Sequence, residues 1–113
     1  MAPLEAPLPS AALHILLALG PGQRHGYAIM AAVASMTAGA MRLAPGTLYT
    51  NIKRLLASGL IEEVDDRLPA AADDQRRRYY RLSPAGRQVV VSEVERMQAL
   101  VTGARPWLLD LDT

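Results

Sequence analysis

A chain of 113 residues suits one compact domain; half its residues are hydrophobic, but with one Trp, four Tyr and no Phe its core must be aliphatic. The formal net charge of +1 does not by itself announce a nucleic-acid partner, and the absence of cysteine excludes disulfides and thiolate metal sites. No run approaches the ~18 apolar residues of a membrane span, and Met1–Pro9, with Glu5 and three prolines, lacks the basic and apolar regions of a signal peptide. Residues 1–9 are expected to be a flexible arm and the chain to be cytoplasmic.

Ser10, after Pro9, is positioned to N-cap a first helix whose Ala11, Ala12, Leu13, Ile15, Leu16, Leu17 and Leu19 make it mostly buried; Gly20-Pro21-Gly22 stops it. A second helix starts near Gly26, with Tyr27 in its first turn and Ile29, Val33 and Met36 on one face, and closes at Gly39. Met41–Ala44 offers only a short extended piece. Pro45 then opens a third helix running to Ser58, since a first-turn residue needs no N–H. Its Leu48, Ile52, Leu55 and Leu56 form one stripe, Gly46, Thr50, Lys53, Arg54 and Ala57 project opposite, Thr47, Tyr49 and Asn51 flank them, and Gly59 caps the end.

From Leu60 the period shortens: Ile61 and Val64 among acids, a Pro/Ala/Asp stretch from Leu68 to Asp74, then Arg77-Arg78-Tyr79-Tyr80-Arg81-Leu82. This predicts a hairpin with a long, mobile loop, Tyr80 and Leu82 on one strand face and Arg77, Tyr79 and Arg81 on the other. Ser83-Pro84 begins a fourth helix, expected to end near Thr102 because Gly103 and Pro106 follow. Val90, Val94, Met97 and Val101, spaced 4, 3, 4, make a heptad-like seam that Val89 and Leu100 widen, which fits pairing with a second copy.

The order is therefore mainly α with a small β-hairpin: a winged helix-turn-helix over residues 10–82, followed by a C-terminal dimerisation helix and tail over 83–113. In such a fold the third helix enters the major groove and the hairpin reaches the flanking backbone or minor groove. Charge distribution agrees. Between Met30 and Gly59 the only charges are Arg42, Lys53 and Arg54, and between Gln75 and Gln88 stand five Arg and no acid. A competing reading is a winged-helix module that binds proteins or drugs without tight DNA affinity. Catalysis has no support: Gly20-Pro21-Gly22 follows a helix and fails the dinucleotide spacing, and no serine sits in a nucleophile elbow. His14 and His25, without cysteines, make a poor metal set, so neither metal nor cofactor is expected.

Four segments, Arg24-His25-Gly26-Tyr27, Pro45-Gly46-Thr47-Leu48-Tyr49, Leu55 through Gly59-Leu60-Ile61, and Arg78-Tyr79-Tyr80-Arg81-Leu82-Ser83-Pro84-Ala85-Gly86, together resemble the PadR family of transcriptional regulators, short C-terminal type, over about Leu13 to Leu100. The resemblance implies a homodimeric, repressor-like protein on an inverted-repeat operator in double-stranded DNA, released when a small molecule or another signal reaches the dimer interface. It implies duplex contacts from Tyr27, Gly46, Thr47, Tyr49, Thr50, Asn51, Lys53, Arg54, Arg76 and Arg77, with Arg78 beside them on the wing. It implies dimer contacts from Val90, Val94, Met97, Leu100 and Val101. Trp107, the sole Trp, is a candidate contact for a small aromatic or phenolic effector, set against plain packing of the C-terminal tail.

Overall fold

The computed structural model describes residues 7–64 and 78–112. In chain order its elements are α1 (Ser10–Ala18), β1 (Arg24–His25), α2 (Gly26–Met36), α3 (Pro45–Ala57), β2 (Ile61–Val64), β3 (Tyr79–Leu82) and α4 (Pro84–Leu111). The strands form one antiparallel sheet in the order β1-β3-β2. This is the winged-helix order expected from the sequence, with a third strand added.

The core lies where α1, α2 and α3 meet the sheet. Ile15, Leu16 and Leu19 from α1 and its end, Ile29 and Val33 from α2, Leu48, Ile52 and Leu55 from α3, and Ile61, Tyr80 and Leu82 from the sheet are all buried. These are apolar positions of three helices and two strands. Burial of a large aliphatic side chain is worth roughly 1.5–3 kcal/mol, so their convergence outweighs the poor intrinsic propensity of such short helices. Leu8, within the expected arm, packs against this core.

Several expectations need correction. Ser10 is the first helical residue, not the cap: Pro9 holds the cap position and its carbonyl accepts from Leu13 N at 3.0 Å. Instead the Ser10 carbonyl accepts from His14 Nδ1 at 2.7 Å. Met36 is half exposed rather than core-facing, because α2 ends there and Ile29 and Val33 suffice to seat it. Arg24–His25 adds a strand that the sequence did not suggest, pairing with Tyr79 and Tyr80, while Met41–Ala44 joins no strand and reaches Ala44 in extended conformation. At Met41–Ala44 the chain is instead held by Thr37, whose hydroxyl bonds the Val33 carbonyl at 2.9 Å and accepts from Met41 N at 3.0 Å.

The fourth helix does not stop at Thr102. It runs 28 residues through Gly103 and Pro106 to Leu111, about 42 Å at 1.5 Å per residue, and the molecule is accordingly 57 Å long by 27 and 24 Å. A mid-helix proline removes one N–H and crowds the preceding turn, at about 3 kcal/mol. Here helix-favouring Ala104 and Arg105 precede it and Leu108 and Leu109 follow, so the helix continues past the missing bond.

Candidate nucleic-acid interface

Helix α3 is held by its underside. Leu48 and Leu55 are fully buried and Ile52 nearly so, a spacing of 4 and 3 that fixes the rotation of the helix about its axis. That rotation turns Gly46, Thr47, Thr50 and Lys53 to solvent, with Asn51 and Arg54 half-buried on the flanks. Asn51 Nδ2 is engaged along its own helix, donating to the Thr47 carbonyl at 2.8 Å. The C-terminal end is closed by Gly59 at φ +74°, where Leu60 N reaches the Leu55 carbonyl and Gly59 N the Leu56 carbonyl. At the other end Ala44 provides no side-chain cap, the first turn holds no acid, and the space around Gly46 is open. The result is an exposed stripe of small, hydroxyl and cationic groups with no carboxylate on its helix, suited to base edges and phosphates.

Tyr27 and Tyr49 lie on two helices in contact, α2 and α3. Tyr27 is 52% exposed in the first turn of α2, and Tyr49 is 36% exposed. The Tyr49 ring lies across Gly26 so closely that any side chain at 26 would meet its hydroxyl and ring and the Leu48 side chain. A side chain at 26 would have to displace the Tyr49 hydroxyl, so Gly26 leaves room for the Tyr49 ring against the start of α2.

Residues of the Arg24-His25-Gly26 and Ser83-Pro84-Ala85-Gly86 segments serve as joints of the fold. Arg24 Nε donates to the Ala18 carbonyl at 2.8 Å, so its cation satisfies the end of α1. His25 Nδ1 accepts from Ala28 N at 3.2 Å as the cap of α2, while its ring meets Tyr79 edge-on at 5.5 Å. Ser83 is a double joint: its hydroxyl accepts from Gly86 N at 3.0 Å, capping α4, and donates to the Gly59 carbonyl at 2.6 Å, binding α4 to the end of α3. Gly86 presses against the Leu60 carbonyl, leaving no room for a Cβ. The Arg24-His25-Gly26 and Ser83-Pro84-Ala85-Gly86 segments therefore serve the geometry that presents α3.

On the wing strands Arg81 Nε donates to Glu62 at 3.0 Å across the pair Glu62↔Arg81, and Arg78 lies 3.7 Å from Glu63. Burial raises the pKa of the Tyr80 hydroxyl above its ordinary 10.0, and the nearby Glu63 carboxylate adds to the rise. Arg76 and Arg77 lie outside the described residues.

Helix α4 has two zones. Up to Met97 it leans on its own domain: Gly86 and Glu93 are buried, and Val89 and Val90 pack against the core. Glu93, only 3% exposed, pairs with Arg96 at 2.7 Å. Beyond, Leu100, Val101, Trp107, Leu108 and Leu111 are exposed and fall within a sector of about 120° on the helix. Val94 is exposed on the same side as Val101, so of the five expected seam residues Val94, Leu100 and Val101 face solvent while Val90 and Met97 are half-buried against their own fold. Trp107 lies within this helix, not in a tail after it, and an open groove of about 410 Å³ on α4, lined by Arg87, Gln88, Val91 and Ser92, does not include it. Among the described residues no helix is long and apolar enough to cross a membrane, and no His, Cys, Asp or Glu cluster could hold a metal ion.

Comparison with known proteins agrees with this architecture. A curated relative, an uncharacterized 37.1 kDa protein in transposon TN4556 of Streptomyces fradiae, is 36% identical over 86 residues; these are 76% of this chain but only 22% of that protein. Among solved structures, RosR of H. salinarum superposes with a TM-score of 0.67 at 26% identity, covering 83% of this chain and 77% of RosR. A PadR family transcription regulator from hypervirulent Clostridium difficile R20291 shares the fold with a TM-score of 0.69 at 21% identity, covering 88% of this chain and 99% of the other. The model of the transcriptional regulator PadR-like family matches residues 15–92, more than half the sequence, and the chain belongs to that family of regulators rather than to any class of enzyme.

Proposed function

We propose that the chain is a homodimeric, sequence-specific DNA-binding repressor of the cytoplasm. Residues 10–82 form its DNA-binding unit and 83–113 its dimerisation helix and tail. The α3 stripe of Gly46, Thr47, Thr50, Asn51, Lys53 and Arg54 enters the major groove, with Tyr27 and Tyr49 at its edge and Arg76 and Arg77 as expected wing contacts. The observation that carries the reading is that stripe, held outward by buried Leu48, Ile52 and Leu55. Membership in a family of transcriptional regulators supports it.

Two copies associate through Val90, Val94, Met97, Leu100 and Val101, an interface that the exposed Leu108 and Leu111 extend. Half-sites of an inverted-repeat operator then lie about 34 Å apart or a multiple of it. A small aromatic or phenolic effector reaching Trp107 shifts the α4 pair, alters the separation of the two α3 helices and lowers operator affinity. Selection of bound duplexes from a random pool with purified protein tests this: a palindromic consensus is expected, and recovery of no consensus contradicts it.

A further inference from the structure

The wing carries two cations and two anions in two ion pairs, of which Glu62 and Arg81 are partners in the strand register. Glu62 and Glu63 on β2 stand against Arg81 and Arg78 at the β3 edge, at 3.0 and 3.7 Å. All four side chains are about half exposed or more, from 46% to 60%. Exposed pairs of this kind add little to folding, and a strand that only needed protection at its edge could carry lysine. Beside a polyanion, however, a carboxylate matters: it repels phosphate and occupies the guanidinium that would otherwise neutralise one. By contrast Lys53 on α3 and Arg42 in the turn before it form no ion pair with any described residue.

We propose that Glu62 and Glu63 limit the sequence-independent grip of this protein on duplex DNA by keeping Arg81 and Arg78 neutralised. Phosphate contact then falls to cations such as Lys53, and the wing strands contribute shape without net charge. This inference rests on the duplex-binding reading above. Its consequence is that affinity stays low enough for small changes in α3 spacing to release the protein.

The test is duplex affinity against salt concentration for the full chain. Each cation newly placed on a phosphate steepens the logarithmic slope by about 0.9. Glu62→Gln/Glu63→Gln should therefore steepen it by up to about two, so that affinity falls about tenfold more between about 50 and 200 mM salt than for the unsubstituted protein. Selected and random duplexes should gain equally, and adding Arg78→Gln/Arg81→Gln should restore the original slope. Should the paired substitution unfold the chain, Glu62→Gln alone should give half the change. An unaltered slope in the Gln variants, or a shallower slope from Arg78→Gln/Arg81→Gln alone, overturns the proposal. Lys53→Ala separates the two readings: if it lowers the slope while the Glu variants do not move it, only the present inference fails, whereas no salt-dependent duplex binding by any form ends both.

Discussion

Replacing Ser83 with Ala tests whether α3 is presented by a built joint. Ser83 is buried, and its hydroxyl makes two bonds at once, from Gly86 N at 3.0 Å and to the Gly59 carbonyl at 2.6 Å. Loss of an N-cap serine costs about 0.5–2 kcal/mol, and the upper end applies because the Gly86 N–H is buried and left without a partner. Loss of the bond to Gly59 adds about 0.5–1.5 kcal/mol, toward the lower end because Gly59 itself is exposed to water. The sum is about 2–3 kcal/mol, or a fall in Tm of roughly 10 °C for a chain of this size. Urea unfolding followed by far-UV circular dichroism at fixed protein concentration measures it through the midpoint at unchanged slope. A loss below about 0.5 kcal/mol would refute the joint and, with it, the claim that Ser83-Pro84-Ala85-Gly86 is a structural motif.

Further outcomes follow from single residues. Gly59→Ala should cost about 1 kcal/mol in the same assay from backbone strain alone, since φ is +74° and nothing lies within reach of a Cβ. Tyr80, whose folded pKa is raised, contributes stability that is complete below pH 10 and is lost as pH climbs from 10 through the folded value; Tyr80→Phe should flatten that alkaline decline. On selected duplexes, Thr50→Ala should change base preference with the salt slope intact, whereas Lys53→Ala should weaken all sequences alike and lower the slope by about one. Val101→Glu, on the exposed side of α4, should yield a monomer by sedimentation while leaving the circular dichroism of the winged helix in place.

The sequence was readable wherever one local rule governed. Leu48, Ile52 and Leu55 announced the rotation of α3 because a helix resting on a core needs that spacing, and Gly59 announced its end because only glycine takes a positive φ cheaply. What escaped was set by tertiary pairing. Two residues, Arg24 and His25, make a strand only because Tyr79 and Tyr80 lie beside them, fifty-odd positions away. Pro106 looked like a stop because its cost is local, while the apolar sector from Leu100 to Leu111 becomes visible only once the helix is carried through it. The Glu62–Arg81 pair depends on a strand register that no count of residues across the intervening stretch could set. Glu93 shows no apolar signal at all, yet is buried, paired with an exposed Arg96.

The central claim is that the outward side of α3 is the surface that meets duplex. Backbone amide shifts, recorded as a selected duplex is titrated into labelled protein, measure this residue by residue. The account expects the largest changes at Gly46, Thr47, Thr50 and Lys53, with Tyr27 and Tyr49 close behind. Changes confined to α4, with those amides unmoved at saturation, would contradict it.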